Sequence, residues 1–502
     1  MADDTPGRGW PERRGAAAFA GALALLAAAL ALVEARLRPP PALGADVPAD
    51  MFSATRAMDR LGRVLGDGRP HPVGSAAAAE LRARLVAAFA EVGLAAEVQA
   101  GFACGPRSAS CGRVWNVVAA LPGREPGPAL LVSAHHDSVA VGPGAGDDGS
   151  GVAAALEVAR ALKSGPPPRR AVVFALVDGE EAGLLGAQAF VDGHPLAASI
   201  GAAINLDAGG TRGVTSLTRT TASNAGLIAA IAGAVPRPYG ASVIGAVYGL
   251  TPYDTDFTVY KNAGWPVLDF GFGEDKAHYH TPLDRLGNLD APSVQHLGDT
   301  ALAAVRALAE ADLSDMPDRS RVYVDALGAV MLHWPSWWTP IFAALALAGL
   351  LRAARRAREP TPRRLRLRRA LGFPLLVAGP AAVGAALMAA LAWWTAAEEV
   401  PGHAHPLAAR VALWTAVLAA SGALAGALAR ADASARAWLW LGPWLWLAGI
   451  AMATAVALPG ASVGVLPPAL VASLLSLWAW RTRQGPSAMS QGAAAPAGRL
   501  VL

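Results

Sequence analysis

The sequence predicts an α/β domain with a largely parallel or mixed central sheet flanked by helices, together with a multi-span α-helical membrane domain. Two observations support this prediction. Between residues 114 and 311, short continuous apolar runs alternate with segments of helical spacing, an order typical of α/β domains. Elsewhere, long apolar runs almost without charge recur, as expected for helices that cross a hydrocarbon core of about 30 Å.

The first of these long runs lies near the amino terminus. The chain has 502 residues, 54% of them hydrophobic, and a mean hydropathy of +0.36, which is apolar for an ordinary soluble protein. Residues 15–33 carry no charge and follow Arg13 and Arg14. A cleaved signal peptide is the alternative, but no clear cleavage site follows the run. We therefore expect an uncleaved anchor over 15–33, with a cytoplasmic tail over 1–14.

Five further apolar runs predict a membrane domain over 334–483. They occupy residues 334–351, 370–396, 411–429, 438–458 and 463–480. Residues 352–369 between the first two runs contain nine arginines and one glutamate. Such a basic block can bind nucleic acid, but between two spans it indicates a cytoplasmic loop. We therefore predict a multi-pass protein of the cell (inner) membrane, in contact with lipid and with no nucleic-acid partner, and a disordered cytoplasmic tail over 484–502.

This topology places the segment between the first and second spans outside the cytoplasm. Residues 39–333 contain 22 Lys and Arg against 30 Asp and Glu, so the segment is acidic although the whole chain has a formal charge of +4. Both cysteines, Cys104 and Cys111, fall within it. Two cysteines cannot fill a zinc site alone, whereas a disulfide suits an oxidising compartment. We expect the two cysteines to be paired.

Short apolar runs and helical segments alternate within the acidic segment. Five runs predict strands buried on both faces, namely VWNVVAAL, ALLVSA, AVVFALV, AAINL and WPVLDFGF. Four segments predict helices, namely AAAAELRARLVAAFAEVG, GSGVAAALEVARALK, EAGLLGAQAFV and APSVQHLGDTALAAVRALAEA. In such a sheet, ligands gather at the carboxyl ends of the strands.

Potential metal ligands follow four of the predicted strands. They are His135, His136, Asp137, Asp147 and Asp148 after ALLVSA, Asp178, Glu180 and Glu181 after AVVFALV, Asp207 after AAINL, and His278 and His280 after WPVLDFGF. One aspartate before a helix is usually an N-cap, but four clusters at one sheet edge predict a metal site. Imidazole and carboxylate ligands without thiolate favour zinc or a similar first-row ion. Five ligands with one able to bridge fit a pair of ions.

These motifs resemble the two-zinc aminopeptidase family, which includes secreted bacterial leucyl aminopeptidases and glutamate carboxypeptidase II. The resemblance rests on HHD, DDGSG, DGEEAGLLG, NLDAGG and YHTPLD, in that order over about residues 69–311. HPVGS at 71–75 and the spans after the domain resemble the endoplasmic-reticulum and vacuolar membrane branch. The resemblance implies a zinc-peptidase sandwich over 39–325, with a central mixed sheet flanked by helices.

The resemblance also implies which residues hold metal. It assigns His135 and Asp207 to one zinc ion, and Glu181 and His280 to the other. Asp147 is assigned to both ions as the bridging ligand, which gives two Zn²⁺ per chain.

Three further residues match catalytic positions of the family. Glu180 matches the general base, which takes a proton from the attacking water and returns it to the leaving amine. Asp137 matches the carboxylate that orients the first histidine ligand. Tyr279 matches a tyrosine that stabilises the oxyanion in some members. The family also has a cis peptide bond after the bridging aspartate, here between Asp147 and Asp148.

Several alternatives stay open at this stage. His136 or His278 can replace the assigned histidine ligands, although the HxD and YHT patterns favour the assignment above. Asp148 can bridge in place of its neighbour, although the distance from GSG favours the neighbour. Asp254 and Asp256 either shape the substrate pocket or cap a turn.

We therefore expect a membrane-anchored zinc exopeptidase, an aminopeptidase acting on peptides. A carboxypeptidase or a glutaminyl cyclase on the same fold is an alternative enzyme. A binding protein with a non-catalytic ectodomain is disfavoured by the intact ligand set, and a transporter is disfavoured because the apolar runs almost lack charge. The sequence does not determine the substrate or the oligomeric state.

Overall fold

The computed structural model describes residues 31–106, 110–249, 254–356 and 433–483, and a few single positions between 20 and 29 and at 415 and 419. The chain divides into two compact units. One comprises Arg36–Ser336, and the other comprises Met1–Ala35 with Trp337–Leu502. The predicted tails 1–14 and 484–502 and the predicted spans 370–396 and 411–429 lie outside the described residues, apart from two single positions.

The Arg36–Ser336 unit is built on a seven-stranded mixed sheet. Its strands are β1 (Ala96–Cys104), β2 (Cys111–Leu121), β3 (Ala129–His135), β4 (Val172–Val177), β5 (Ile200–Leu206), β6 (Ser216–Thr220) and β7 (Val267–Gly271). The spatial order is β1-β2-β4-β3-β5-β7-β6. Strands β4, β3, β5 and β7 are parallel to one another, whereas β1, β2 and β6 pair antiparallel to their neighbours. The predicted mixed sheet is confirmed.

The central strands are buried because helices cover both faces of the sheet. Every residue of β3, β4 and β7 is buried, which explains their continuous apolar sequences. Two apolar clusters share the strand residues according to their alternation: Leu130 and Val132 belong to one cluster, and Leu131 belongs to the other. Side chains of successive strand residues therefore support opposite layers of helices.

The helices of this unit are α1 (Ala54–Leu65), α2 (Ala76–Glu91), α3 (Gly149–Lys163), α4 (Leu185–Gly193), α5 (Ala225–Ile231), α6 (Ser242–Tyr248), α7 (Phe257–Asn262) and α8 (Ala291–Glu310). Side chains of Ser53, Ser75, Asp148 and Asp290 cap the first turns of α1, α2, α3 and α8, as expected for N-cap residues. The four predicted helices are present. One begins later than predicted, at Leu185, because residues 181–184 form a turn.

A disulfide and a second, two-stranded sheet complete the unit. Cys104 and Cys111 pair across the β1–β2 turn and form the predicted disulfide. After the main sheet, β8 (Arg321–Asp325) and β9 (Met331–Pro335) form an antiparallel hairpin. This hairpin was not predicted, and it places residues 326–336 in the same compact unit as the sheet.

The second unit contains α9 (Trp338–Arg356), α10 (Ala433–Ala457) and α11 (Leu466–Arg483). Buried side chains including Ala346, Leu350, Leu441 and Ala469 pack these helices together. None of the helices in the described part of the chain combines the length and the hydropathy of a membrane span.

Candidate metal centre

The candidate ligands meet because four parallel strands end at one edge of the sheet. His135 is the last residue of β3 and lies opposite Val177, the last residue of β4. The turn after β4 carries Glu180 and Glu181, and Asp207 directly follows β5. The predicted convergence of these residues is thereby observed.

The ligand atoms form two groups. His135, Asp147 and Asp207 offer atoms that all lie within 4.8 Å of one another, and so do Asp147, Glu181 and His280. His135 Nε2 lies 3.1 Å from Asp147 Oδ1, and His280 Nε2 lies 3.0 Å from Asp147 Oδ2. His280 Nε2 is also 3.0 Å from Glu181 Oε1. One carboxylate therefore presents an oxygen to each group.

Buried atoms without hydrogen-bond partners test whether the centre fits a metal ion. Asp147 Oδ2, Glu181 Oε1 and His280 Nε2 are close together, yet none makes a hydrogen bond within the described residues. Buried polar atoms are normally hydrogen-bonded. Carboxylate and imidazole atoms that converge without satisfying one another fit a cation held between them.

The carboxylates near the two histidines favour a positive charge on each imidazole. Burial lowers the pKa of His280, but the carboxylates of Asp147 and Glu181 raise it further, to about 9. Burial likewise opposes protonation of His135, whereas Asp137 and Asp147 raise its pKa well above the usual value. The negative charge that raises these pKa values also favours a cation bound between the ligands.

Asp147 itself stays ionised. Burial raises the pKa of its carboxyl group, but the hydrogen bond with His135 and the positive charges of His135 and His280 lower it more. Burial and the neighbouring Asp147 instead raise the pKa of Glu181 to about 6. The shared carboxylate is therefore the most strongly anionic ligand of the second group.

Asp137 connects the histidine of one group to the turn that carries the glutamates. His135 Nδ1 lies 3.0 Å from the Asp137 carbonyl oxygen and 3.5 Å from its Oδ1. The backbone N–H groups of Glu180 and Glu181 donate to the same carboxylate, at 3.0 Å and 3.3 Å. These contacts of Asp137 fix the orientation of the His135 ring and the position of the backbone of both glutamates.

Glu180 lies among other carboxylates. Burial and the carboxylates of Asp207, Asp256 and Glu181 raise its pKa well above the usual value, against the opposing charge of His135. A carboxyl group with a raised pKa exchanges a proton more readily near neutral pH. Glu180 is not a member of either ligand group.

Tyr279 packs directly on the second histidine. Its ring is stacked on the imidazole of His280, with centroids 3.7 Å apart and planes inclined by 16°. His280 has a φ of +57°, a left-handed conformation that is unfavourable for residues other than glycine and that clusters at functional sites. Burial and nearby carboxylates raise the pKa of Tyr279, so its hydroxyl stays protonated.

The alternative ligands make other contacts. His136 Nε2 lies 3.1 Å from the carbonyl oxygen of Trp115, and His278 Nδ1 lies 2.7 Å from the hydroxyl of Thr211. Asp148 caps α3 and accepts a hydrogen bond from the backbone of Gly151 at 3.0 Å. The peptide bond between Asp147 and Asp148 is cis, as the resemblance implied.

The two aspartates of YDTDF have different surroundings. Asp254 accepts a hydrogen bond from Arg219 Nη1 at 3.1 Å. Asp256 is buried, makes no side-chain cap to α7, and has a pKa raised to about 7 by burial and nearby carboxylates. Asp254 therefore belongs to an ion-paired network, and Asp256 adds to the negative charge around Glu180.

The sequence did not predict the role of Asp284. Its Oδ1 accepts from the backbone N–H of Gly146 at 2.6 Å, and its Oδ2 accepts from that of Asp147 at 3.1 Å. The side chain is buried, and it holds the loop that carries the shared carboxylate. The available signal was its position in YHTPLD, four residues after His280.

Imidazole and carboxylate groups at the carboxyl edge of a mixed α/β sheet define a metal centre of the kind used by metal-dependent hydrolases. Residues 116–305 match the family model described as Peptidase family M28. The matched segment includes every residue of both ligand groups.

Two similar proteins are named as a metallopeptidase and a protease. Endoplasmic reticulum metallopeptidase 1 from Mus musculus is 36% identical over 232 residues, which are 44% of this chain and 26% of that protein. Vacuolar membrane protease from Yarrowia lipolytica is 34% identical over 223 residues, which are 44% of this chain and 22% of that protein. The match thus covers about a quarter of the length of these relatives.

Solved structures resemble the chain less closely. Glutaminyl cyclase from Porphyromonas gingivalis is 24% identical, covers 51% of this chain and 99% of its own, and has a TM-score of 0.42. A zinc aminopeptidase from Bacillus subtilis is 17% identical, covers 53% of this chain and 98% of its own, and has a TM-score of 0.41. Scores this low do not distinguish one activity from another.

Proposed function

We propose that this chain is a two-zinc exopeptidase, an aminopeptidase, in which Glu180 is the general base. The observation that supports the proposal most strongly is the shared carboxylate of Asp147, with one oxygen 3.1 Å from His135 and the other 3.0 Å from His280. It lies in the segment that matches Peptidase family M28, and the relatives are named as a metallopeptidase and a protease.

Each ligand group would hold one ion. His135 and Asp207 would bind the first, Glu181 and His280 the second, and Asp147 both. Bound zinc supplies Lewis acidity and lowers the pKa of a coordinated water molecule. Three ligands per ion leave room for water or substrate, as catalytic zinc sites require.

The surrounding side chains have separate tasks. Asp137 holds the His135 ring and the backbone of the glutamate turn in place. Glu180 accepts the proton of the attacking water and donates it to the leaving amine, a transfer favoured by its raised pKa. Tyr279 keeps its hydroxyl proton and can donate it in a hydrogen bond to the developing oxyanion.

The test separates Glu180 from its neighbour Glu181. Glu180→Gln should keep both zinc ions and lower kcat by about 10²- to 10⁴-fold, the usual effect of losing a general base. Glu181→Gln should instead lose zinc and recover part of its activity in excess metal. The substrates are a peptide with a free amino terminus and its N-acetylated form, and only the first should be cleaved.

Three results would contradict parts of the proposal. Near-normal turnover by Glu180→Gln would show that another group is the base. Loss of zinc from that variant would place Glu180 among the ligands. Equal cleavage of the acetylated peptide would exclude an aminopeptidase while retaining a metallopeptidase.

We also propose that the peptidase domain faces away from the cytoplasm of a multi-pass membrane protein. The apolar runs 15–33 and within 334–483 and the arginines of 352–369 support this topology, and one relative is named as a membrane protease. A reporter that is active only outside the cytoplasm should be active when fused near Ser133 and inactive after Arg483. The reverse pattern would contradict the topology.

A further inference from the structure

We propose that the β8–β9 hairpin and the adjoining helix α6 dock on the surface of a lipid bilayer through their exposed apolar side chains. The inference rests on the proposed multi-pass topology, and it specifies which face of the Arg36–Ser336 unit contacts the membrane. It is supported by an apolar surface at one edge of this unit and by the positions of the two segments that connect the unit to apolar runs.

The apolar surface lies on two neighbouring elements. Its members are large aliphatic side chains that are between 36% and 55% exposed, namely Ile244, Val247, Leu327, Val330 and Leu332; we call these five residues the hairpin surface. Helix α6 has the sequence SVIGAVY, and none of its residues is buried. Single exposed aliphatic side chains are common, whereas several on adjoining elements indicate a contact surface.

The hairpin surface is attached to the fold by its inner face. Tyr323 and Met331 are buried in the main apolar cluster of the unit, whereas Leu332, the next residue along β9, is exposed. The backbone N–H of Tyr323 donates to Ser242 Oγ at 2.9 Å, which joins the start of α6 to β8. The outer apolar side chains are therefore carried by two elements that the core holds in place.

The segment that enters the unit packs beside the hairpin. Arg36 lies three residues after the predicted anchor 15–33, and its carbonyl oxygen accepts a hydrogen bond from the hydroxyl of Tyr239. The Tyr239 ring packs against the turn of the hairpin, where a Cβ atom on Gly328 would collide with it. The connection to the predicted anchor therefore leaves the unit next to the hairpin surface.

The segment that leaves the unit continues from the hairpin itself. Strand β9 ends at Pro335, within the predicted span 334–351. Trp337 and Trp338 follow in the sequence, and tryptophan is enriched at membrane interfaces. Because both connections to apolar runs start at or beside the hairpin, the proposed topology brings this face of the unit to the bilayer.

The opposite edge of the sheet provides a contrast. Leu217 of β6 donates from its backbone N–H to the carbonyl oxygen of Tyr239 at 2.9 Å. Asp325 of β8 donates in the same way to Gly240 at 2.9 Å, so the hairpin extends the sheet beyond β6. Strand β1 lies at the other edge, where Phe102 is also exposed. Phe102 is thus an exposed apolar residue at the edge far from both connections.

The residue types favour lipid over a second copy of the chain as the occupant. The hairpin surface consists only of Leu, Val and Ile. Protein interfaces gain most of their binding energy from buried Trp, Tyr and Arg side chains, whereas a lipid surface requires only apolar area.

The experiment attaches an environment-sensitive NBD probe to single cysteines in the full-length chain, reconstituted into phosphatidylcholine vesicles. Cys104 and Cys111 are paired, so an introduced cysteine is the only free thiol. Probes at Val247→Cys and Leu332→Cys should be quenched by doxyl-labelled lipid and shielded from iodide present on both sides of the bilayer. Doxyl near the headgroups should quench more than doxyl at the bilayer centre, since interfacial elements are buried by only about 5–10 Å. The matched control Phe102→Cys should be quenched by iodide and not by lipid.

A charge substitution tests whether the two elements dock together. Leu327→Asp combined with Val330→Asp should increase iodide quenching of the probe at position 247, because charged side chains are expelled from an apolar phase. Both positions are exposed, so the thermal stability should change little. Unchanged iodide access at position 247 would contradict a shared docking surface.

Extraction with alkaline carbonate separates the docking surface from the topology on which it rests. If carbonate releases the chain although lipid quenches the probe at position 332 at neutral pH, the docking surface holds and the proposed spans fail. If the chain resists carbonate while iodide reaches positions 332 and 102 equally, the topology holds and the docking surface fails. Shielding at position 332 without lipid quenching, increasing with the ratio of protein to lipid, would identify a second copy as the occupant and contradict the inference.

Discussion

The two ligand groups share Asp147 but differ in how the protein surrounds their histidines. The His135 side chain is 2% exposed, ends a buried strand and is fixed at Nδ1 by Asp137. The His280 side chain is 36% exposed and lies in a loop, where it packs on Tyr279. The histidine of one group is therefore enclosed by the sheet, whereas the histidine of the other reaches solvent.

This difference assigns different tasks to the two groups. An enclosed ligand with a fixed ring orientation favours tight and persistent metal binding. A ligand whose side chain is 36% exposed and packs on a tyrosine leaves access for substrate. We infer that the group with His135 anchors the centre and that the group with His280 is the side from which substrate enters.

Substituting each histidine in turn gives the largest expected contrast. In chelated protein, His135→Ala should lower the free energy of unfolding by about 3 kcal/mol, because it leaves Asp137 and Asp147 buried beside an empty space. His280→Ala should cost about 1 kcal/mol or less, since water can replace a half-exposed ring. Thermal unfolding followed by tryptophan fluorescence measures both. Equal losses would remove the distinction between an enclosed and an open group.

A smaller effect is expected from substituting Asp284, whose side chain holds the loop that carries the shared Asp147 carboxylate. Asp284→Asn replaces one of the two carboxylate oxygens that accept from Gly146 and Asp147, so both zinc affinities should fall by about 10- to 100-fold. Asp299→Asn is the control, because burial raises both aspartate pKa values to about 6 but Asp299 contacts Gln295 away from the site. Competition with a zinc chelator measures the affinities. A change at only one ion would show that Asp284 does not act through the shared carboxylate.

The central part of the fold could be predicted because segments buried on both faces have continuous apolar sequences. Strand β4 is apolar throughout and buried at every position, and α3 has the predicted bounds because Asp148 provides its N-cap. Short elements gave no usable signal: α5 and α6 have seven residues each, too few for a helical period to be distinct.

The turn after β4 shows why one helix boundary was misplaced. Residues 181–191 have helical spacing, but Asp137 binds the backbone of Glu180 and Glu181. Leu184 has a φ of +65°, and the helix begins only at the next residue. A contact with a residue more than forty positions away overrides the local preference, and single-sequence periodicity does not contain that contact.

The candidate site could likewise be predicted only in part. The ligand types and their places at strand ends could be predicted, because they depend on chain order and on parallel strands ending together. The hydrogen bonds that Asp284 accepts could not be predicted, because they join loops separated by more than 130 residues.

The central claim is that one carboxylate joins two metal sites, and zinc stoichiometry tests it most directly. After dialysis against trace zinc, elemental analysis of the full-length chain should give two zinc ions in wild type. Asp147→Ala should retain at most one weakly held ion, because it removes a ligand from both groups. A single tight ion in wild type, or two ions retained by Asp147→Ala, would contradict the account.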